Sequence, residues 1–458
     1  MARSKNRVIE VDVKNREFPD ISTAIYEDKL IKFKGGIPGQ KVKIRLSRKK
    51  HNYTKANLIE VLEKSPLEKN EGCPRYMECG GCDYQSIPYE TELLLKLQQI
   101  KDLFKENDLD DSHLSINRNP KPIGYRNKME YTFGDEEKGG DLVLGLHKKN
   151  RFYSIVDTEK CNIVDNDFNL IRIFTTRFFR ERNISFYHKT SHEGYLRHLI
   201  VRKSHRKNQI LINLVTSSQV NKLPIGEEEL LDEYISGLTN LLTDGKVVSF
   251  YHTTNDSLAD AVVPEKIDHL FGEEYITEIV NGLEFNLGPF SFFQPNVFTQ
   301  EKLYDKIIEF AGDMSGKLVY DLYCGTGTIT QIMAKKARKV VGIEINEEAV
   351  SKAYENSNIN GLYNIEYLQG DVLEEIDKLT DDVDIVTIDP PRAGIHNKAI
   401  KKIMDMNAKK IIYVSCNPKT LVEDIKIFQE KYTLEKAELF DQFTRTKHVE
   451  TVVLMSRK

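Results

Sequence analysis

LVYDLYCGTGTITQ, residues 318–331, decides the architecture of the chain. An apolar run carries Asp321 near its end, Gly325 and Gly327 turn the backbone, and TITQIMAKKA (328–337) continues with apolar residues at helical spacing. The same grammar repeats downstream. KVVGIEIN (339–346) leads into EEAVSKAYENSNING (347–361), and IEYLQGDV (365–372), VDIVTIDPP (383–391), KKIIYVSCNP (409–418) and VETVVLMSRK (449–458) follow. Nearly continuous apolar strands separated by helices predict a parallel, doubly wound sheet, an α/β domain over residues 286–458.

Ligands of such sheets bind beyond the carboxyl ends of the strands. Glycines there let a ligand approach the backbone with no Cβ in the way. A dinucleotide fingerprint would place a third glycine where this chain has Thr330, which argues against a pyrophosphate site. Glu344 ends the second strand, where a carboxylate can accept both hydroxyls of a ribose. Asp371 ends the next, within reach of an adenine amine. Each acid alone also fits a helix N-cap; in this order, with the glycine turn, they suit a phosphate-free nucleoside ligand, S-adenosylmethionine. The fourth strand ends IDPPRAG (388–394), where two prolines stop the strand and fix Asp389 at the sheet edge. The fifth delivers Cys416 to the same edge, facing one crevice with Asp389, and so makes it a candidate nucleophile.

At 458 residues the chain exceeds one ordinary core. Its composition, 40% hydrophobic and 30% charged, is that of a soluble globular protein, and a continuous apolar run long enough for a membrane helix is absent. MARSKNRVIEV at the N-terminus lacks the apolar stretch of a signal peptide, so the expectation is a cytoplasmic protein with no membrane partner. The net charge of -4 favours no partner, but its distribution is uneven. KVKIRLSRKKHNYTK (41–55) holds seven Lys or Arg and no acid, and RHLIVRKSHRK (197–207) forms a second cluster. Such faces suit a polyanion, or are simply solvated.

Residues 1–65 alternate apolar and polar positions around the turn GGIPG (35–39), as in a small OB-like barrel, a fold that commonly binds nucleic acid. Residues 66–90 and 120–285 read as a mixed, mainly antiparallel central domain. A helix within 91–119 is expected to pack on the catalytic domain. Of the six cysteines, Cys73, Cys79 and Cys82 are spaced C-x5-C-x2-C, with Cys161 alone in TEKCNIV. Four thiolates fit a structural zinc or an iron–sulfur cluster; the three-plus-one spacing, unlike the two close pairs usual for zinc, leans toward the cluster. Cys324, inside the glycine turn, reads as a neighbour of the cofactor.

DLYCGTGT (321–328), DPPRAG (389–394), YVSCNP (413–418) and HVE (448–450) resemble the RNA uracil-5 methyltransferase family, whose members make 5-methyluridine in tRNA and ribosomal RNA. The resemblance extends over the whole chain. Residues 1–65 are similar to the TRAM domain, although EFPDISTAIYEDKLIKF lacks its usual glycine-rich turn. GYRNKMEYTFG (124–134) and YLRHLIVR (195–202) resemble the central domain's RNA-facing segments, and SFFQPN (291–296) the segment entering the cofactor site. The resemblance implies a class I S-adenosylmethionine methyltransferase domain with Gln294, Asp321, Tyr323, Gly325, Glu344, Asp371 and Asp389 around the cofactor. It implies Cys416 as the nucleophile that adds to uracil C6, Glu450 as the base that removes the C5 proton, and Asp389 on the uracil edge. Phe292 would stack on a target base flipped out of its helix or held in a loop. It further implies a [4Fe-4S] cluster on Cys73, Cys79, Cys82 and Cys161. The TRAM-like domain together with the four-cysteine motif favours 23S ribosomal RNA over tRNA as partner, with no obligate protein partner. The competing readings are a tRNA uracil-5, RNA cytosine-5 or exocyclic-amine methyltransferase, and a non-catalytic RNA-binding iron–sulfur protein. Arg392, where amine enzymes usually carry an aromatic residue, argues against the amine reading. His448, beside Glu450, either shapes the loop or takes a direct part.

Overall fold

A computed structural model describes residues 7–69, 72–379 and 382–458; the first six residues of MARSKNRVIEV lie outside it. The carboxyl-terminal half is built on an eight-stranded sheet. Its order is Ile365–Gln369, Lys339–Glu344, Leu318–Leu322, Ile385–Ile388, Lys410–Ser415, Glu450–Arg457, Tyr432–Phe440 and Ser115–Asn117. The first five strands are parallel, and LVYDL is buried along its whole length, as a central strand covered on both faces must be. Chain order reverses beside Leu318–Leu322, which opens the ligand crevice of a class I methyltransferase fold at that point.

Two strands of this sheet are not evident from the pattern. Tyr432–Phe440, YTLEKAELF, has a charged, exposed middle and does not read as a buried strand. It is the partner of Glu450–Arg457, which inserts antiparallel between it and Lys410–Ser415. Ser115–Asn117 is too short for any periodicity, yet adds to Tyr432–Phe440 from far upstream. The helix Tyr89–Lys105 just before it buries Ile100 and Phe104 in the same core as Leu421, Ile425 and Phe428 of the helix Pro418–Phe428. The hairpin Ile276–Val280/Leu283–Leu287 also packs into the catalytic core, with Val319, Ile332 and Val340, so that core takes in residues upstream of 286.

The amino-terminal sheet closes on itself. Its order is Val8–Asp12, Lys41–Lys49, Thr54–Glu63, Lys29–Lys34, Ile21–Tyr26 and Asn15–Glu17. The outermost two are halves of one bent strand, joined at Val13 and Lys14, so the ring is complete and OB-like. Gly36 makes the turn at φ +92°, where an added Cβ would press on Ser22 Oγ and Val13.

The central domain is a seven-stranded sheet, Arg151–Asp157, Val143–Lys148, Lys128–Gly134, Leu196–Lys203, Gln209–Thr216, Lys246–Thr254 and Lys266–Gly272, antiparallel except between Gln209–Thr216 and Lys246–Thr254. The helices Asn166–Glu181 and Glu227–Thr239 lie against it, meeting through Phe174, Phe178, Phe179 and Tyr234. Among the described residues no helix is long and apolar enough to cross a membrane.

Part of the second basic cluster is internal. Arg197 is buried on the carbonyls of Asn255 and Ala259, and Lys203 is buried between Asp165 and Asp167. These two brace the central domain, which corrects their reading as a polyanion surface. Arg206, paired with Glu301, and Lys207, paired with Glu284, remain exposed. In the first cluster Arg45, Arg48 and Lys49 are exposed on the barrel.

Candidate active site

The strand tips of the catalytic sheet and the loops beyond them build the crevice. Asp321 is fully buried; its carboxylate accepts from Thr330 Oγ1 at 2.5 Å and Thr387 Oγ1 at 2.8 Å. Burial still outweighs those bonds and pushes the carboxyl up to about 6. Glu344 accepts from the backbone N–H of Gly325 at 3.0 Å and of Asn346 at 2.9 Å, so it holds the glycine turn against the second strand. Asp371 is exposed and caps the short helix Val372–Glu375 through Leu373 N. The N-cap alternative therefore describes part of what Asp371 does, at the rim of the crevice.

Positive φ angles shape the turn. Tyr323, Gly325 and Gly327 all take left-handed φ (+63°, +54° and +74°). An added Cβ at Gly327 would lie 2.3 Å from Tyr367 Oη, whereas at Gly325 it would meet nothing within 4 Å. Gly327 is thus glycine for packing, and Gly325 faces open space where a ligand fits. Tyr323 is half-buried beside that space, its phenol pushed up to about 12 by burial.

A second group lies across the tips of the fourth, fifth and inserted strands. The serine of SCNP folds onto its own loop, with Asn417 N donating to Ser415 Oγ, and Pro418 starts the next helix, where a missing N–H costs nothing. Asn417 Nδ2 donates to Arg392 O at 2.9 Å and so ties this loop to DPPRAG. Cys416 is half-buried, its thiol pushed up to about 11 by burial and by the charges of Glu450 and Asp389, against an opposing hydrogen bond and charge from Arg392. Glu450 is buried; burial first, then Asp389, pushes its carboxyl up to about 8, and Arg392 opposes this. Burial and the charge of Asp321 push Asp389 up to about 7. His448 is driven down to about 4 by burial and by Arg392, so it is neutral and accepts from Arg392 Nη2 at 2.8 Å. Cys416 thus senses the charges of Glu450 and Asp389, and Glu450 that of Asp389. Arg392, weighed at the sequence level only as a departure from the amine-enzyme pattern, is the cation among them.

SFFQPN spans from the hairpin to the helix Val297–Ala311. Arg202, fully buried, donates to Ser291 O at 2.6 Å, and Asn127 grips Gln294 O and Pro295 O at 2.9 Å each. Held on both sides by the central domain, the segment leaves Gln294 half-buried and Phe292 70% exposed, a phenylalanine that contributes nothing to a core. Asn127 and Arg202 lie within the quoted GYRNK and YLRHLIVR segments; spacing gave no sign that they grip this loop.

None of the six cysteines is in a disulfide. Those at 73, 79, 82 and 161 face one another closely enough that each of Cys79, Cys82 and Cys161 is raised further by the charge of others in the set, after burial. Cys79 Sγ accepts from Gly81 N at 3.3 Å and Cys82 Sγ from Gln85 Nε2 at 3.4 Å. The loop is fastened to the central sheet by the pairing of Cys79 with Lys148 and by Lys149 N on Glu78 O. Cys161 is buried and the other three are half-buried, and two of the four sulfurs accept N–H donors.

Residues 265–458 match the model of the tRNA (Uracil-5-)-methyltransferase family. An uncharacterized RNA methyltransferase of Clostridium tetani (strain Massachusetts / E88) is 44% identical across 100% of this chain and 99% of its own. One from Caldanaerobacter subterraneus subsp. tengcongensis is 42% identical across 99% and 100%. The crystal structure of Pyrococcus abyssi tRNA (uracil-54, C5)-methyltransferase in complex with S-adenosyl-L-homocysteine shares the fold, with a TM-score of 0.75 at 24% identity over 97% of this chain and 100% of that one. The chain belongs to the RNA uracil-5 methyltransferase family and is an S-adenosylmethionine-dependent RNA methyltransferase.

Proposed function

We propose that the protein methylates uracil C5 through a covalent adduct on Cys416, and that its substrate is 23S ribosomal RNA. The observation that carries the chemistry is the gathering of Cys416, Glu450 and Asp389 around Arg392 at the strand tips. Uracil C5 is a poor nucleophile until a thiolate adds to C6. Arg392 stabilises that thiolate, and the Cys416 sulfur forms a bond to C6 while the C5–C6 π pair moves onto C5 and the O4 carbonyl. Asp389, its carboxyl held near neutrality, is suited to hydrogen-bond the O4/N3 edge in either protonation state. Gly325, Tyr323, Glu344, Asp371 and Gln294, with Asp321 bracing the turn, would hold S-adenosylmethionine, which would supply the methyl group to C5 while the pair of the broken S–CH3 bond stays on its sulfur. Glu450 then takes the C5 proton, the C–H pair restores C5=C6, and the C6–S pair returns to Cys416 as thiolate. Phe292 stacks on the displaced base.

The closed barrel with Arg45, Arg48 and Lys49 exposed supports RNA contact by residues 1–65. Family resemblance in the barrel and the four-cysteine loop favours ribosomal RNA over tRNA. The four thiols at 73, 79, 82 and 161 would hold a [4Fe-4S] cluster of structural role, in a reducing cytoplasm where they stay free. Mass spectrometry of ribosomal RNA and tRNA from a deletion strain tests the substrate: a 5-methyluridine missing from 23S RNA is the expected result, and one missing only from tRNA overturns that choice.

A further inference from the structure

The connection between the strands Tyr432–Phe440 and Glu450–Arg457 is buried to a degree that loops rarely are: Asp441, Gln442, Thr444, Thr446 and Val449 are all inaccessible. Its anchors come from distant parts of the chain. Lys96 bridges Glu92 Oε1 at 2.7 Å and Asp441 Oδ1 at 2.6 Å, and all three side chains are 0% exposed. Tyr89 Oη donates to Asp441 Oδ2 at 2.8 Å and Tyr125 Oη to Thr444 O at 2.9 Å. Arg445 is the hub. It sits at φ +70°, its N–H donates to Glu92 Oε1 at 2.7 Å, and its guanidinium donates to Ile87 O at 2.9 Å. Its carbonyl accepts from Asp83 N at 2.8 Å and Tyr84 N at 3.1 Å, while Lys447 N donates back to Asp83 Oδ2 at 3.3 Å. Asp83 directly follows Cys82, and Lys447 precedes His448 and Glu450.

We infer that residues 83–87, with Glu92, Lys96 and Arg445, are a brace that positions Glu450, so that the fold of the cysteine-bearing loop governs release of the methylated RNA rather than attack on it. The inference rests on Glu450 being the base. Three features carry it. A buried ion triad is costly to build and to break, so it fixes one geometry of the loop. A non-glycine residue at positive φ persists only where its surroundings hold it there. The anchors of the loop lie on the helix and the cysteine segment, whereas Cys416 sits on its own loop beyond Lys410–Ser415, tied through Asn417 to Arg392 and meeting the connection only where Arg392 bonds His448. Loosening the brace therefore displaces the base more than the nucleophile.

The test uses the full chain with a uridine-containing RNA and S-adenosylmethionine. Arg445→Gly removes the guanidinium but keeps a backbone that tolerates φ +70°, so the variant folds. Asp83→Ala removes a second contact of the brace, the carboxylate that accepts from Lys447 N. Each should accumulate a denaturation-resistant, methylated enzyme–RNA adduct, with breakdown slowed about tenfold or more while adduct formation and cofactor affinity stay near wild type. Arg445→Lys should restore part of the loss. Formation, cofactor binding and breakdown falling together would make the contact merely structural and overturn the inference, as would unchanged breakdown. Glu450→Gln runs alongside. An adduct there but none in Arg445→Gly and Asp83→Ala sinks the brace alone; no adduct with Glu450→Gln sinks the base assignment, and the brace with it.

Discussion

Replacing Glu450 by glutamine tests the catalytic assignment and the energetics of the site together. The carboxyl is buried beside Asp389 and titrates at about 8 instead of its ordinary 4.5. An acid raised in the fold costs no stability below its unfolded pKa; the cost grows as pH rises through the window from about 4.5 to 8 and is constant above it. At pH 7 this amounts to about 3 kcal/mol of destabilisation, on the scale of 1.36 kcal/mol per pH unit. Glutamine has nearly the same shape and no charge, so the variant should be more thermally stable at pH 7 to 8 by up to that amount and unchanged near pH 4. Catalysis should move the other way. With no base the methylated adduct cannot shed its C5 proton, and breakdown should slow about 10²–10⁴-fold, the range of general-base contributions. In the wild type, breakdown should rise about tenfold per pH unit below 8 and level off above it. Denaturing gels of enzyme with labelled RNA measure the adduct, and melting curves at three pH values measure the stability. A variant that turns over normally, or is destabilised at pH 7 with no adduct, refutes the reasoning.

Other outcomes follow from the same geometry. Cys416→Ala should abolish adduct and methyl transfer while calorimetry still finds cofactor binding, because the glycine turn is held by Glu344 and Asp321. Arg392→Met should slow adduct formation roughly 10–100-fold, the worth of one charge-assisted hydrogen bond to the thiolate, and Arg392→Lys should recover part of it; single-turnover rates distinguish the two. Glu344→Gln should weaken cofactor binding about tenfold by calorimetry, through loss of the charged acceptor that holds Gly325. Anaerobically purified protein should hold about four irons per chain, and zinc alone would refute the cluster.

The parts of this molecule legible in its sequence are those fixed by local chemistry. The alternation of apolar strands and helices, the glycine turn and the DPP and SCNP stops each encode their own conformation, so the sheet and the residues on its tips could be named in advance. What escaped depends on chain distance. YTLEKAELF owes its strand state to Glu450–Arg457 beside it, and its charged middle hides that. Lys203 in RHLIVRKSHRK looked like part of a surface because its acids, at 165 and 167, lie far away in sequence. Arg392 was visible as a residue, but its place beside Cys416 depends on His448 and Asn417, which only the fold brings to it.

The strand Glu450–Arg457 enters the sheet between two strands that precede it in the chain. During synthesis Cys416, the glycine turn, the barrel and the central domain therefore all emerge before the residue proposed to end the reaction. Lys410–Ser415 and Tyr432–Phe440 lack their shared partner until this late strand is inserted, so the proposed base arrives in the same step that completes the sheet.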